Sequence, residues 1–104
     1  MGKVIFTRTA EIDLVGIEDY IREILYNPNA AIRIVDGIVD TAEKLSLFPK
    51  KHQFVRDQFL AEIGFRMVIF DNYNIFYFYD ESADAVHIVR VLYNRVDWEN
   101  ILRQ

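Results

Sequence analysis

Between residues 10 and 24, Ala10, Leu14, Ile17, Ile21 and Ile24 recur at alternating steps of four and three. That spacing puts apolar side chains on one face of an amphipathic helix. Thr9 is placed to cap its start, with Glu11 and Asp13 near the positive end of the helix dipole. Asn27-Pro28 ends the run, because the residue before a proline is driven out of the α region. Asn29 can cap a second helix, whose Ala31, Ile34, Val35, Ile38, Ala42 and Leu45 form another stripe before Phe48-Pro49 closes it. Helices are therefore expected near 10–26 and 29–47, and the short Asn27–Asn29 link folds them into an antiparallel hairpin. Gly37 costs the second helix about 1 kcal/mol against alanine, so it is expected where another element packs close.

Beyond residue 54 the pattern becomes strand-like. Gly64–Phe70, Tyr73–Tyr79 and Ala85–Tyr93 are rich in Val, Ile, Phe and Tyr, and Lys3–Thr7 is a short apolar strand before the helices. Asp71-Asn72 and the acidic stretch Asp80–Asp84 make the turns of a β-meander, and Phe54–Leu60 reads as a shorter, weaker strand. The final Asp97–Arg103 reads as a short helix or tail. The class expected is α+β: an N-terminal strand and an antiparallel helical hairpin packed on one face of an antiparallel β-sheet. Phe76, Phe78 and Tyr79 cannot all face one side of it, which leaves apolar surface for a partner to cover.

Composition narrows the picture. A chain of 104 residues, 52% hydrophobic, carries enough apolar surface for one compact core, so a single domain over 1–104 is expected and disorder is not. Cysteine is absent, which excludes disulfides and any thiolate chemistry. No apolar stretch approaches the roughly 20 residues that cross a bilayer. Nothing near Lys3–Arg8 reads as a signal peptide, so no membrane partner and a cytoplasmic location are expected. The net charge of −4 argues against strong non-specific nucleic-acid binding. Lys50, Lys51, His52, Arg56 and Arg66 nevertheless make one locally basic stretch, set against Asp57 and Glu62.

Several strings meet a known family in order and spacing. They are Ala10-Glu11-Ile12-Asp13-Leu14 with Tyr20-Ile21, Asn27-Pro28 with Ala30-Ala31, Phe48-Pro49, and Gly64-Phe65-Arg66. Asn72-Tyr73 with Phe76-Tyr77, Val86-His87-Ile88-Val89-Arg90-Val91 and Arg95-Val96-Asp97-Trp98 complete the series. None is specific alone, but together they resemble the RelE/ParE toxins over nearly the whole chain. The resemblance implies a toxin of a type II toxin–antitoxin system, wrapped by a cognate antitoxin. RelE-like members cut messenger RNA on the ribosome, whereas ParE-like members poison DNA gyrase without known nuclease chemistry. Because one fold serves both, the target has to be argued from the site. A degenerate domain with neither activity is the third reading.

Metal-free RNA cleavage needs a base for the 2′-hydroxyl, positive charge on the phosphorane and an acid for the leaving oxygen. No cofactor or metal is expected, since the two histidines lie far apart and an acidic hairpin turn accounts for Asp80, Glu81 and Asp84. Arg66 and Arg90 lie inside apolar strands, where a charge is expensive unless it meets solvent or a partner. Both match arginines of the family pattern, which in nuclease members line the active face. The structural alternative is a salt bridge to a carboxylate such as Glu62 or Asp97. Tyr93 stands where many relatives place histidine or another polar group; it could stack on a base or act in proton transfer, but tyrosine is a poor general base. Lys50, Lys51, His52, Arg56 and Arg95 are the candidate RNA contacts, each with a solvated charge as its plainer alternative. The balance tips slightly toward mRNA cleavage, with gyrase as the alternative.

Overall fold

Thr7, not Thr9, starts the first helix. In the computed structural model, which describes residues 2–104, its hydroxyl oxygen accepts from the Ala10 N–H at 3.1 Å and the hydroxyl donates to Val89 O at 3.2 Å. The residue that caps the helix thus also fastens it to the sheet. Strand β1 (Lys3–Phe6) runs straight into α1 (Arg8–Asp19), which passes into a single π-helical turn, Tyr20–Ile24. That turn closes with Leu25 N–H on Tyr20 O, a wider ring than the α-helix uses. The widening rotates the later residues, so Ile24 leaves the apolar stripe and is 61% exposed while Ile21 stays buried.

Helix α2 (Pro28–Glu43) continues as a 3₁₀ turn, Lys44–Ser46. Its cap is Asn27 rather than Asn29: the Asn27 Oδ1 accepts from Ala30 N–H at 3.1 Å. Pro28 then occupies the first turn, where its missing N–H costs nothing. The expected stripe holds, with Ala31, Ile34, Ile38, Ala42 and Leu45 all buried. Gly37 lies where an added Cβ would fall 2.0 Å from the ring of Phe70, so the close approach read from its helix cost is present.

The next elements are α3 (Gln58–Ile63), β2 (Arg66–Phe70), β3 (Tyr73–Asp80), β4 (Ala85–Tyr93) and α4 (Trp98–Arg103). The sheet order is β1-β4-β3-β2. The meander β2–β3–β4 is antiparallel as expected, but β1 lies parallel to β4, so the sheet is mixed. Tight turns dictate the direction of the meander strands. No such turn joins β1 to a neighbour, and the hairpin with the first two meander strands supplies the long crossover that a parallel pair requires.

Residues 54–60 do not form the weak strand expected of them. Only an isolated bridge, Phe54 to Arg66, survives. Asp57 caps α3 by accepting from Leu60 N–H at 3.0 Å, and Gly64 ends that helix at φ 116°, the left-handed region that favours glycine. The hairpin covers one face of the sheet as expected. The short helices α3 and α4 cover the other, where Val55, Leu60, Phe65, Phe76, Leu92 and Trp98 form a second core. Phe76 and Leu60 are fully buried there, each worth about 1.5–3 kcal/mol. Phe76 and Phe78 therefore meet protein rather than a partner: Phe76 packs against Trp98 with ring centres 5.1 Å apart, and Phe78 against Phe65 at 4.4 Å. Tyr77 and Tyr79 turn to the hairpin side.

Candidate functional site

Arg90 owes its position to a break in β4. The register steps from Phe76 opposite Arg90 to Tyr77 opposite Ile88, leaving Val89 unpaired. This bulge lets Ile88 and Val91, three residues apart, both enter the hairpin-side core. At the bulge the Arg90 fork meets Asp13 of α1. Nε and Nη2 donate to the two carboxylate oxygens at 2.8 and 2.9 Å, and the backbone N–H of Val91 donates to Oδ2 at 2.9 Å. The Asp13 side chain is 11% exposed and that of Arg90 28%. The hydrogen bonds to Asp13 hold the guanidinium above its ordinary pKa against the opposing effect of burial. A salt bridge was the structural alternative for Arg90, but the carboxylate is Asp13, not Glu62 or Asp97.

Arg66 starts the edge strand β2 and makes no carboxylate pair among the described residues. Its Nη1 donates to the carbonyl oxygen of His52 at 2.8 Å, and its guanidinium lies 4.0 Å from the centre of the Phe54 ring. The fold thus brings Arg66 and His52 together. Burial first, and then the charge of Lys51, pushes the His52 imidazole below its ordinary pKa. Lys50 turns away to pair with Glu81 at 2.7 Å. Lys51 lines a hollow with Leu47 and the exposed Phe48. Arg56 and Arg95 are exposed and make no ion pair among the described residues.

Tyr93 is elsewhere. It ends β4 opposite Tyr73, whose own partner is Phe70 at the far end of β2 from Arg66. Four residues of strand separate the two ends, about 13 Å at the usual rise. Tyr93 meets Tyr73 edge to face, with ring centres 5.8 Å apart, and the two line a groove of about 710 Å³ between α1 and this end of the sheet. Tyr20, Gly16 and Leu25 of the first helical segment line it as well. Burial and the neighbouring Tyr93 push the Tyr73 hydroxyl above its ordinary pKa, so it holds its proton. Asp13, Gly16, Tyr20 and Tyr73 were not singled out from the sequence as site residues. An interior helix glycine is the one signal there that could have been followed.

A family model described as the ParE toxin of the type II toxin–antitoxin system parDE matches residues 4–98. The chain belongs to the ParE toxin family. Two solved structures share its fold. A chain of the chromosomal ParDE toxin–antitoxin system from P. aeruginosa superposes with a TM-score of 0.73 at 20% identity, covering 89% of this chain and 96% of that one. A chain of the toxin–antitoxin complex RelBE2 from Mycobacterium tuberculosis gives 0.66 at 24% identity, covering 88% and 90%. At these identities the likeness speaks to the fold. No curated protein sequence matches significantly. In this ParE-family toxin, then, the expected catalytic residues have different surroundings: Arg66 beside His52, Arg90 on Asp13, and Tyr93 in a groove at the far end of β2 from Arg66. Among the described residues, no helix is long and apolar enough to cross a membrane.

Proposed function

We propose that this ParE-family toxin arrests growth by poisoning DNA gyrase in the cytoplasm, and that a cognate antitoxin neutralises it. The pairing of Arg90 with Asp13 carries this reading. A ribonuclease of this fold needs a cationic fork free to meet the phosphorane, with a base and an acid about the same phosphate. Arg90 has its Nε–Nη2 edge on a carboxylate, and Arg66 already donates to a carbonyl. Tyr93 stands about 13 Å from Arg66 along the strands. The net charge of −4 suits a protein target better than ribosomal RNA. The match to the ParE family supports the same side.

The test combines two assays. Purified toxin is added to a gyrase supercoiling reaction, and messenger RNA ends are mapped after the toxin is induced in cells. Inhibited supercoiling with intact transcripts is expected. New transcript ends in translated codons, with supercoiling unaffected, would return the protein to the mRNA-cleaving side of the superfamily.

A further inference from the structure

The segment that follows the hairpin is pinned in place while its apolar side chains stay in solvent. The carbonyl oxygen of Pro49 accepts from the hydroxyl of the buried Tyr77 at 3.1 Å, and that of His52 accepts from Arg66 at 2.8 Å. The Lys51 N–H closes a tight turn on Phe48 O, also at 3.1 Å. At the start of this pinned stretch Leu47 is 56% exposed and Phe48 68%. Single exposed apolar residues are ordinary on a protein surface. Two in succession, on a backbone tied to the core, make a rigid apolar ledge. A rigid surface loses little entropy when something binds to it.

Two hollows, of about 570 and 390 Å³, flank the ledge, and Leu47, Phe48 and Lys51 line both. The charged residues that line them are Lys44, Lys50 and Lys51. Lys44 and Lys50 meet Asp40 and Glu81 in exposed pairs, which are worth little. Lys51 makes no ion pair among the described residues, and neither does Arg66, which is tied to the same loop. This positive, apolar face belongs to a chain whose net charge is −4. The groove beside Tyr73 and Tyr93 has the opposite sign, with Asp13 and Asp71 as its charged residues. The two faces therefore attract partners of opposite charge.

Nucleic acid and an acidic protein segment both answer to positive charge. Holding a duplex through its phosphates takes many cations, on the order of 6–10. Of the cations at this face, Lys51 and Arg66 alone are free of carboxylates among the described residues. Its centre, moreover, is apolar. That combination fits a protein segment whose apolar anchor is flanked by Asp or Glu.

We propose that the Leu47–Phe48 ledge is where this toxin grips gyrase, through an acidic segment that seats an apolar side chain against Phe48 and a carboxylate on Lys51. The assignment rests on the gyrase reading above. The test titrates the fluorescently labelled full chain with purified gyrase holoenzyme, reading anisotropy, and measures supercoiling inhibition beside it. Phe48→Ser is expected to weaken binding, and inhibition with it, about thirtyfold or more, as loss of a central contact does. Lys51→Glu should weaken both by about tenfold at low salt, with the difference shrinking as salt is raised. Both side chains are exposed, so both variants should melt with the wild type. Ile63→Ser, on the exposed side of α3, should bind and inhibit as the wild type does. Undiminished inhibition by both Phe48→Ser and Lys51→Glu overturns the assignment and leaves the gyrase reading standing. So does a DNA duplex that binds the wild type without gyrase and loses Lys51→Glu, since the face then belongs to phosphates. A wild-type chain that neither binds nor inhibits gyrase overturns the gyrase reading, and the assignment with it.

Discussion

Replacing Asp13 by alanine separates a structural arginine from a catalytic one. The substitution removes two hydrogen bonds to the Arg90 fork and the acceptor of the Val91 N–H, all at 2.8–2.9 Å. Breaking a buried pair from one side costs about 3–5 kcal/mol, because a charge is left without a partner. Arg90 keeps 28% of its side chain in contact with solvent and can swing partly outward, which argues for a cost at or below the lower end of that range. A loss of about 2–3 kcal/mol is therefore expected. Against a typical total of about 5–15 kcal/mol it is large, and in a domain of this size it lowers Tm by roughly 10–20 °C.

Arg90→Ala should cost a similar amount, since Asp13 would then keep only the Val91 N–H. The double variant should be clearly more stable than the sum of the singles predicts, with a coupling of about 1–3 kcal/mol by urea unfolding. A catalytic arginine behaves otherwise. If it stabilises a transition state as an oxyanion-hole donor does, its loss costs about 2.7–4 kcal/mol in the barrier and leaves the fold intact. An Arg90→Ala chain with an unchanged unfolding midpoint that has lost all growth arrest would refute the structural assignment.

Three other outcomes are expected. Gly37→Ala should destabilise by about 1–3 kcal/mol despite its better helix propensity, and Phe70→Leu should recover part of the loss, as thermal melts of the single and double variants will show. Tyr77→Phe removes the hydroxyl that donates to Pro49 O at 3.1 Å from a fully buried ring, and should cost about 1 kcal/mol in urea unfolding with the fold preserved. Asp57 is held below the usual carboxylate range chiefly by Arg103, and then by the Leu60 N–H. Its contribution is thus present above the ordinary aspartate pKa and is lost as pH falls through the lowered value. Asp57→Asn, which keeps a capping oxygen, should be less stable than wild type by a constant margin above about pH 5, and the margin should close on acidification below about pH 4 in a pH series of melts.

The parts of this fold legible in the sequence are those whose cause is local. Ile34, Ile38 and Ala42 are buried because their spacing places them on one face of α2, and Asp71-Asn72 turns because those residues tolerate tight backbone. Helices α3 and α4, of six residues each, are too short for periodicity to register, and Phe54–Leu60 has the composition of a strand. What makes Gln58–Ile63 helical is its ends, Asp57 and Gly64, together with the back-face core that Leu60 enters. Arg90 marks the same boundary at the site. That a charge in an apolar strand must find a partner follows from desolvation alone. Which partner it finds depends on a bulge at Val89 and a carboxylate 77 residues earlier, and no local pattern joins them. Gly16 and Gly37 lie on successive helices of one hairpin, and residue type alone does not separate them. A ring already fills the space above one, and the space above the other is open. The exposed-aromatic reading failed for the same reason: of the β3 rings it named, Phe76 and Phe78 are already covered by Trp98 and Phe65.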